Sequence, residues 1–300
     1  MFKKILVCLD GSTSALDAMR TVSLIAEQFG SEILALNVFQ TPYADPSDFG
    51  VWAIAIDQAA VERCAREQLK SLERAIAPLF EHSAILWRVI QEQGHPVDTI
   101  LRVVDREKAD LIIVGSRGLR GVKELLLGST SSGVLHHATC PVLIVRGDNT
   151  PCGTIKFCNI LLVSDGSPCA QRASRIAIGL AEKAASSLTV LNVYEDLDSV
   201  NGPCSESVVP GNTDTEVHAK QWLAYVAQPV SELAKEAGVN CLFVQEGGHP
   251  VETIVAFAGK HHVDLIVMGS RGLSGYSRMV IGSVSNRVVH HANCPVLVVR

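Results

Sequence analysis

The chain repeats itself. "KILVCLDGSTSALDA" (Lys4–Ala18) returns as "NILLVSDGSPCAQRA" (Asn159–Ala173), and "LNVF" at Leu36 returns as "LNVY" at Leu191. Further along, "QEQGHPVDTI" from Gln91 matches "QEGGHPVETI" from Gln245, and "HHATCPVLIVR" from His136 matches "HHANCPVLVVR" from His290. Asp10 aligns with Asp165 and Gln91 with Gln245, so the offset changes by a single residue across the copy. That net indel falls between Val38 and Gln91. Two complete copies of one domain are therefore written in tandem, and a short solenoid repeat is excluded. With 300 residues, 47% of them hydrophobic, each copy can bury a core of its own. The joint, "GDNTPCGTIKF" (Gly147–Phe157), has the composition of a linker and sets the domains at 1–147 and 156–300.

Within a copy the periodicity alternates between strand and helix. In the first copy "KILVCL", "EILALNVF", "AILWRVI", "ADLIIVG" and "CPVLIV" are short β-branched runs. Between them lie "STSALDAMRTVSLIAEQFG", "DQAAVERCAREQLKSLERAIAPL", "HPVDTILRVVDREK" and "GSTSSGVLHHAT", which have helical spacing and cap signals. Ser12 or Ser14 can cap the first helix, and Gly30 stands just past its end. Continuous rather than alternating apolar runs mark strands buried on both faces, as in a parallel sheet covered by helices. Right-handed crossovers then give an α/β fold of two tandem, doubly wound, five-stranded Rossmann-like sandwiches.

Such sheets bind ligands at the carboxyl ends of their strands, where the strand order reverses. There the first copy places Asp10 and Gly11, Val38, then Val114, Gly115, Ser116, Arg117 and Gly118, with Gly128, Ser129 and Thr130 opening the last helix. The second copy places Asp165, Gly166, Val193, Met268, Gly269, Ser270, Arg271, Gly272, Gly282, Ser283 and Val284. Gly115 and Gly118 are expected to take φ > 0 and to approach a ligand without a Cβ in the way. Their amides would form an anion-binding nest. Nine residues later, free N–H groups and the positive end of a helix favour phosphate. Neither a Walker loop nor a GxGxxG turn follows the first strand. Both copies keep the glycine spacing while the residues between differ, for example Arg120 against Ser274 and Glu124 against Arg278. Such a loop is held to a geometry.

These residues resemble the universal stress protein family, in its tandem-domain form: an Asp after the first strand, "DLIIVGSRG" and "DLIVMGSRG", the twice-written glycine pattern, and "CPVLIV" and "CPVLVV" closing each copy. The glycine pattern is that of the family's ATP-binding branch. The resemblance implies ATP as the bound nucleotide, with magnesium at most as its counter-ion. Asp10 and Val38 would address adenine and ribose, and Gly115, Arg117, Gly118, Gly128, Ser129 and Thr130 the ribose and phosphates. In the second copy Asp165, Val193, Gly269, Arg271, Gly272, Gly282, Ser283 and Val284 would do the same. The first copy has Val114 and Thr130 where the second has Met268 and Val284, the more usual residues, which favours the second site where only one is filled. The family also pairs its last strands, which implies an intramolecular pseudo-dimer and admits a homodimer.

Other readings carry less. The pairs His136/His137 and His290/His291, with Cys140 and Cys294 nearby, lack the i, i+4 geometry of a helical zinc site and read as packing at a helix end. His95 and His249 precede Pro96 and Pro250 and read as helix starts. Nine scattered cysteines without a CxxC pair suit a reducing compartment. Cys152, Cys158 and Cys169 match no metal spacing. A net charge of −5 gives no support for a nucleic-acid partner, and no apolar run approaches the ~18 residues of a membrane span, so a cytoplasmic protein is expected. Residues 40–57, with Phe49 and Trp52, and 195–215 diverge most between the copies, which suits rim loops that cover a crevice or meet a partner. No carboxylate pair, positioned base or Walker-type lysine is evident, so the expected role is that of a nucleotide-dependent stress-response regulator with at most slow hydrolysis. The alternatives are a protein-interaction module with empty or differently filled crevices, and an adenylate-forming enzyme.

Overall fold

The computed structural model describes residues 1–40, 58–116, 127–146, 157–194, 226–273 and 281–300. The Arg117 and Gly118 assignments lie outside these residues, as do the two divergent segments apart from Gln40. By contacts the chain forms two compact units, one built on Phe2–Cys140 and the other on Lys156–Arg300 together with Pro141–Ile144.

In the first unit, β1 (Lys4–Cys8), α1 (Thr13–Phe29), β2 (Glu32–Phe39), α2 (Gln58–Phe80), β3 (Trp87–Gln93), α3 (Pro96–Glu107), β4 (Leu111–Gly115) and α4 (Ser129–His137) follow one another; β5 (Val142–Val145) comes next in the chain and, up to Ile144, belongs to the second unit. The strands run in the order β3-β2-β1-β4, all parallel. The order reverses at β1, which opens a crevice between the ends of β1 and β4. The second unit repeats this with β6 (Asn159–Val163), α5 (Pro168–Ala184), β7 (Ser187–Tyr194), α6 (helical over 226–236), β8 (Cys241–Gly247), α7 (Pro250–Lys260), β9 (Leu265–Gly269), α8 (Ser283–His291) and β10 (Val296–Val299). Its order is β5-β10-β9-β6-β7-β8. Within it β5 meets β10 antiparallel, with Leu143 opposite Leu297, so neither short apolar strand presents that edge to water.

The apolar runs become strands because both faces are covered. Ile5, Leu6, Val7, Leu111, Ile112 and Ile113 are fully buried, with Ala18, Met19 and Val22 of α1 among the buried side chains. Ser12 caps α1 by accepting from the Ala15 amide at 3.2 Å, and Gly30 ends it with φ 65°. The run from Ala84 suggests a strand, yet the ladder begins at Trp87 and Leu86 is 74% exposed. Edge strand β3 instead carries charge: Arg88 bridges Glu32 at 3.3 Å and Glu107 at 2.5 Å, and Arg106 reaches Glu92 at 2.6 Å. Such an edge resists pairing with another chain.

Candidate functional site

The second crevice is built from one turn and one loop. After β6 the chain passes Ser164 and Asp165, turns at Gly166 with φ 77°, and caps α5 with Ser167. The Asp165 carboxylate is held from both sides: Oδ1 accepts from the Ser167 amide at 3.0 Å, and Oδ2 accepts from the Leu273 amide at 3.0 Å. Ser167 Oγ donates to the Arg271 carbonyl at 3.0 Å and accepts from the Ala170 amide at 3.3 Å. Two hydrogen bonds, Asp165 to Leu273 and Ser167 to Arg271, thus fix the β6–α5 turn and its Asp against the loop after β9. A Cβ at Gly272 would stand 2.6 Å from Asp165 Oδ2, so glycine is what lets the carboxylate reach the Leu273 amide.

The helix that closes the crevice is fixed just as locally. The Gly282 amide donates to the Ser270 carbonyl at 2.7 Å, and Ser285 Oγ donates to the Gly269 carbonyl at 2.8 Å. These bonds set the start of α8 beside Arg271 and Gly272. Gly282 is the N-cap and supplies no side-chain acceptor, whereas Ser167 closes α5 with its own hydroxyl. The first amides of α8 are left for something else, and an anion suits them. Ser283 is exposed there and Val284 half-buried.

The first copy repeats the described parts. Asp10 Oδ1 accepts from the Ser12 amide at 2.9 Å, Gly11 turns with φ 86°, the Gly128 amide donates to Ser116 at 2.8 Å, and Ser131 Oγ donates to the Gly115 carbonyl at 2.6 Å. Gly128 likewise caps α4 without a side chain, and Ser129 and Thr130 follow it. Val38 and Val193 lie half-buried near the ends of β2 and β7. Val114 and Met268, next to last in β4 and β9, are buried, at 2% and 3% exposure.

One expectation is corrected. Among the described residues the positive-φ glycines are Gly11, Gly30, Gly94, Gly166, Gly238 and Gly248; Gly115, and with it Gly269 and Gly272, is not among them, and Gly118 lies outside the described residues. Gly115 is glycine because a Cβ would lie 2.9 Å from the Ser14 carbonyl carbon, and Gly269 because one would lie 2.8 Å from the Ala170 nitrogen. Both let a strand end press against the N-terminus of the helix after β1 or β6.

The sequence reading also passed over a duplicated clamp. Buried Asn37 donates through Nδ2 to the Leu9 carbonyl at 2.8 Å and accepts from Gln91 at 3.1 Å. Asn192 donates to the Ser164 carbonyl at 3.0 Å and accepts from Gln245 at 3.4 Å. Each holds the residue before the crevice Asp onto the neighbouring strand. The signal was present in "LNVF" and "LNVY", since a polar residue repeated inside an apolar run needs a partner. Asn192→Ala removes that donor and is expected to cost about 1–3 kcal/mol, read by urea unfolding.

Beside Asp10, burial and then the Asp10 carboxylate push the Cys8 thiol far above its ordinary range. Iodoacetamide at neutral pH is expected to label exposed Cys64 and Cys158 well before Cys8, as peptide mapping would show. The paired histidines turn inward to their own helices: Nδ1 of His136 and His137 contacts the carbonyls of Ser132 and Gly133, and that of His290 contacts Asn286. Among the described residues no three His, Cys, Asp or Glu side chains gather to hold a metal. No described helix is long and apolar enough to cross a membrane.

The fold, the duplicated Asp turns and the glycine N-caps of α4 and α8 agree with a comparison of the whole sequence: the universal stress protein family model matches residues 1–146 and again 156–300. The chain belongs to the universal stress protein family. A universal stress protein of Mycolicibacterium smegmatis is 27% identical over 301 residues, covering 99% of this chain and 96% of the relative. One from Mycobacterium tuberculosis is 30% identical over 211 residues, covering 68% of this chain and 66% of the relative. The crystal structure of a universal stress protein from Archaeoglobus fulgidus matches with TM-score 0.71 at 26% identity, covering 99% of this chain and 98% of that one. The α/β sandwich with a mostly parallel sheet is thus a universal stress protein fold, written twice.

Proposed function

We propose that this universal stress protein is an ATP-binding regulator rather than an enzyme, with one nucleotide crevice per copy. The observation that carries this reading is the pair of helices, α4 and α8, that start at the crevice without a side-chain cap. The triphosphate would rest on the amides of Ser283 and Val284, with Gly282 leaving it room. Asp165 would meet the ribose or base, and Arg271 would add positive charge near the phosphates. In the first copy Ser129, Thr130 and Gly128 take the same parts beside Asp10. A helix N-terminus stabilises a bound anion without supplying a group that attacks it, so occupancy rather than turnover is the signal. Binding would place a charged nucleotide in the crevice and so change the surface that a partner meets.

Mass spectrometry of small molecules released from the purified protein tests this directly. Adenine nucleotide is expected in the released fraction, and calorimetry of the emptied protein should show saturable ATP binding. Its absence from both would overturn the reading in favour of a protein-interaction module. Rapid substrate-dependent exchange of pyrophosphate into ATP would instead point to an adenylate-forming enzyme.

A further inference from the structure

We propose that the second copy holds a second small-molecule site, for a zwitterion of free amino-acid size, in a cavity between α5 and α6. The cavity measures about 360 Å³, within the range of small-ligand pockets. Its walls combine apolar Val226 and Val230 with Ser174, and its charged groups are Arg175, Glu232 and Glu236. Ser164 and Gly166 also line it, so it adjoins the β6–α5 turn that carries Asp165, while Asp165 itself and the described residues after β9 are not part of its wall; the proposal rests on the cavity's own charges and not on nucleotide binding.

The first copy shows that this arrangement is not the default. At the position of Ser174 it has Met19, fully buried, which fills the space with a long apolar side chain. At the position of Arg175 it has Arg20, which spends its charge on Asp17 at 2.7 Å. The second copy has Arg172 where Asp17 would stand, and Arg172 turns to the Arg300 carbonyl and to Cys169 Sγ. Arg175 is therefore left with no ion-pair partner among the described residues. Glu236 has none either, and Glu232 accepts only a 3.2 Å bond from Gln228. A cation and two carboxylates thus surround one cavity without neutralising each other.

That pattern selects its ligand. A simple anion would be drawn to Arg175 but repelled by two carboxylates, and a simple cation would meet the reverse. A molecule with a carboxylate at one end and an ammonium at the other satisfies both sets, while Val226 and Val230 accept a short apolar stem. A nucleotide, anionic throughout its phosphates, fits poorly.

The test is calorimetric titration of the full chain with each common L-α-amino acid singly. At least one should bind saturably. Its N-acetyl derivative, which keeps only the negative charge, and its amide, which keeps only the positive, should each bind at least about tenfold more weakly. Ser174→Met should abolish the binding while leaving ATP titration unchanged. Arg175→Glu, an exposed change that spares the core, should abolish it too and covers the case in which the Met variant fails to fold. The proposal is overturned if no amino acid binds the wild type, if charge-blocked derivatives bind as well as the parent, or if Arg175→Glu binds unchanged. A Ser174→Met variant that merely melts higher, with no wild-type binding, would mark the cavity as a packing void.

Discussion

Gly282→Val is expected to lose ATP from the second crevice, by about 100-fold or more in affinity, equivalent to roughly 2.7 kcal/mol, while the fold survives. The backbone permits the change. Gly282 has φ −66° and ψ 151°, which valine adopts without strain. Its Cβ would stand 3.3 Å from the Ser270 carbonyl oxygen and 3.5 Å from Arg271 Cα, a tight fit that a few tenths of an ångström relieve. In this account the γ-methyls crowd the α8 N-terminus, where the phosphate would sit. Calorimetry should show the nucleotide stoichiometry falling from two per chain to one, with the first crevice intact. Unchanged binding at both crevices would remove α8 from the site.

A neighbouring glycine of the same motif should behave in the opposite way. Gly269→Ala is expected to destabilise the second copy by about 2–3 kcal/mol and to lower its melting temperature by roughly 5–10 °C. Its Cβ would lie 2.8 Å from the Ala170 nitrogen and 2.9 Å from the Cys169 carbonyl carbon, both main-chain atoms at the start of α5. Main chain there cannot swing aside as a flexible side chain can, so strand and helix must separate. Gly115→Ala should weaken the first copy likewise, against Ser14. Calorimetric scans of both variants check this, and a melting temperature equal to the parent's would show that the contact relaxes freely. Two glycines of one motif thus separate by experiment into one that keeps space for a ligand and one that keeps space for a helix.

That division was not legible from spacing. A glycine repeated at a strand end announces that a Cβ is unwelcome, but not whether a ligand, a positive φ or another backbone excludes it. Gly115 and Gly269 read as flexible, ligand-facing residues, yet the excluding atoms belong to α1 and α5. The architecture was far more legible. The near-constant offset between copies defined the duplication, and continuous apolar runs such as "LIIV" required covered strands. Ser12 and Gly30 announced the ends of α1 because caps act within one turn. Where the reading slipped, tertiary partners decided. The run from Ala84 reports apolar character, whereas the strand starts where pairing with β2 holds, at Trp87. The Asn37 and Asn192 clamps join strands 28 residues apart in sequence, a separation that no local pattern reveals. The cavity at Ser174 depends on how α5 meets α6, which a serine in a helical run does not disclose.

The most direct test of the account is a crystal structure grown with ATP. The account predicts the triphosphate on the first amides of α8, at Ser283 and Val284, with the ribose or base toward Asp165 and the same pose beside Asp10 at α4. Nucleotide density elsewhere on the molecule, or both helix starts closed over by the protein's own side chains in the presence of saturating ATP, would contradict it.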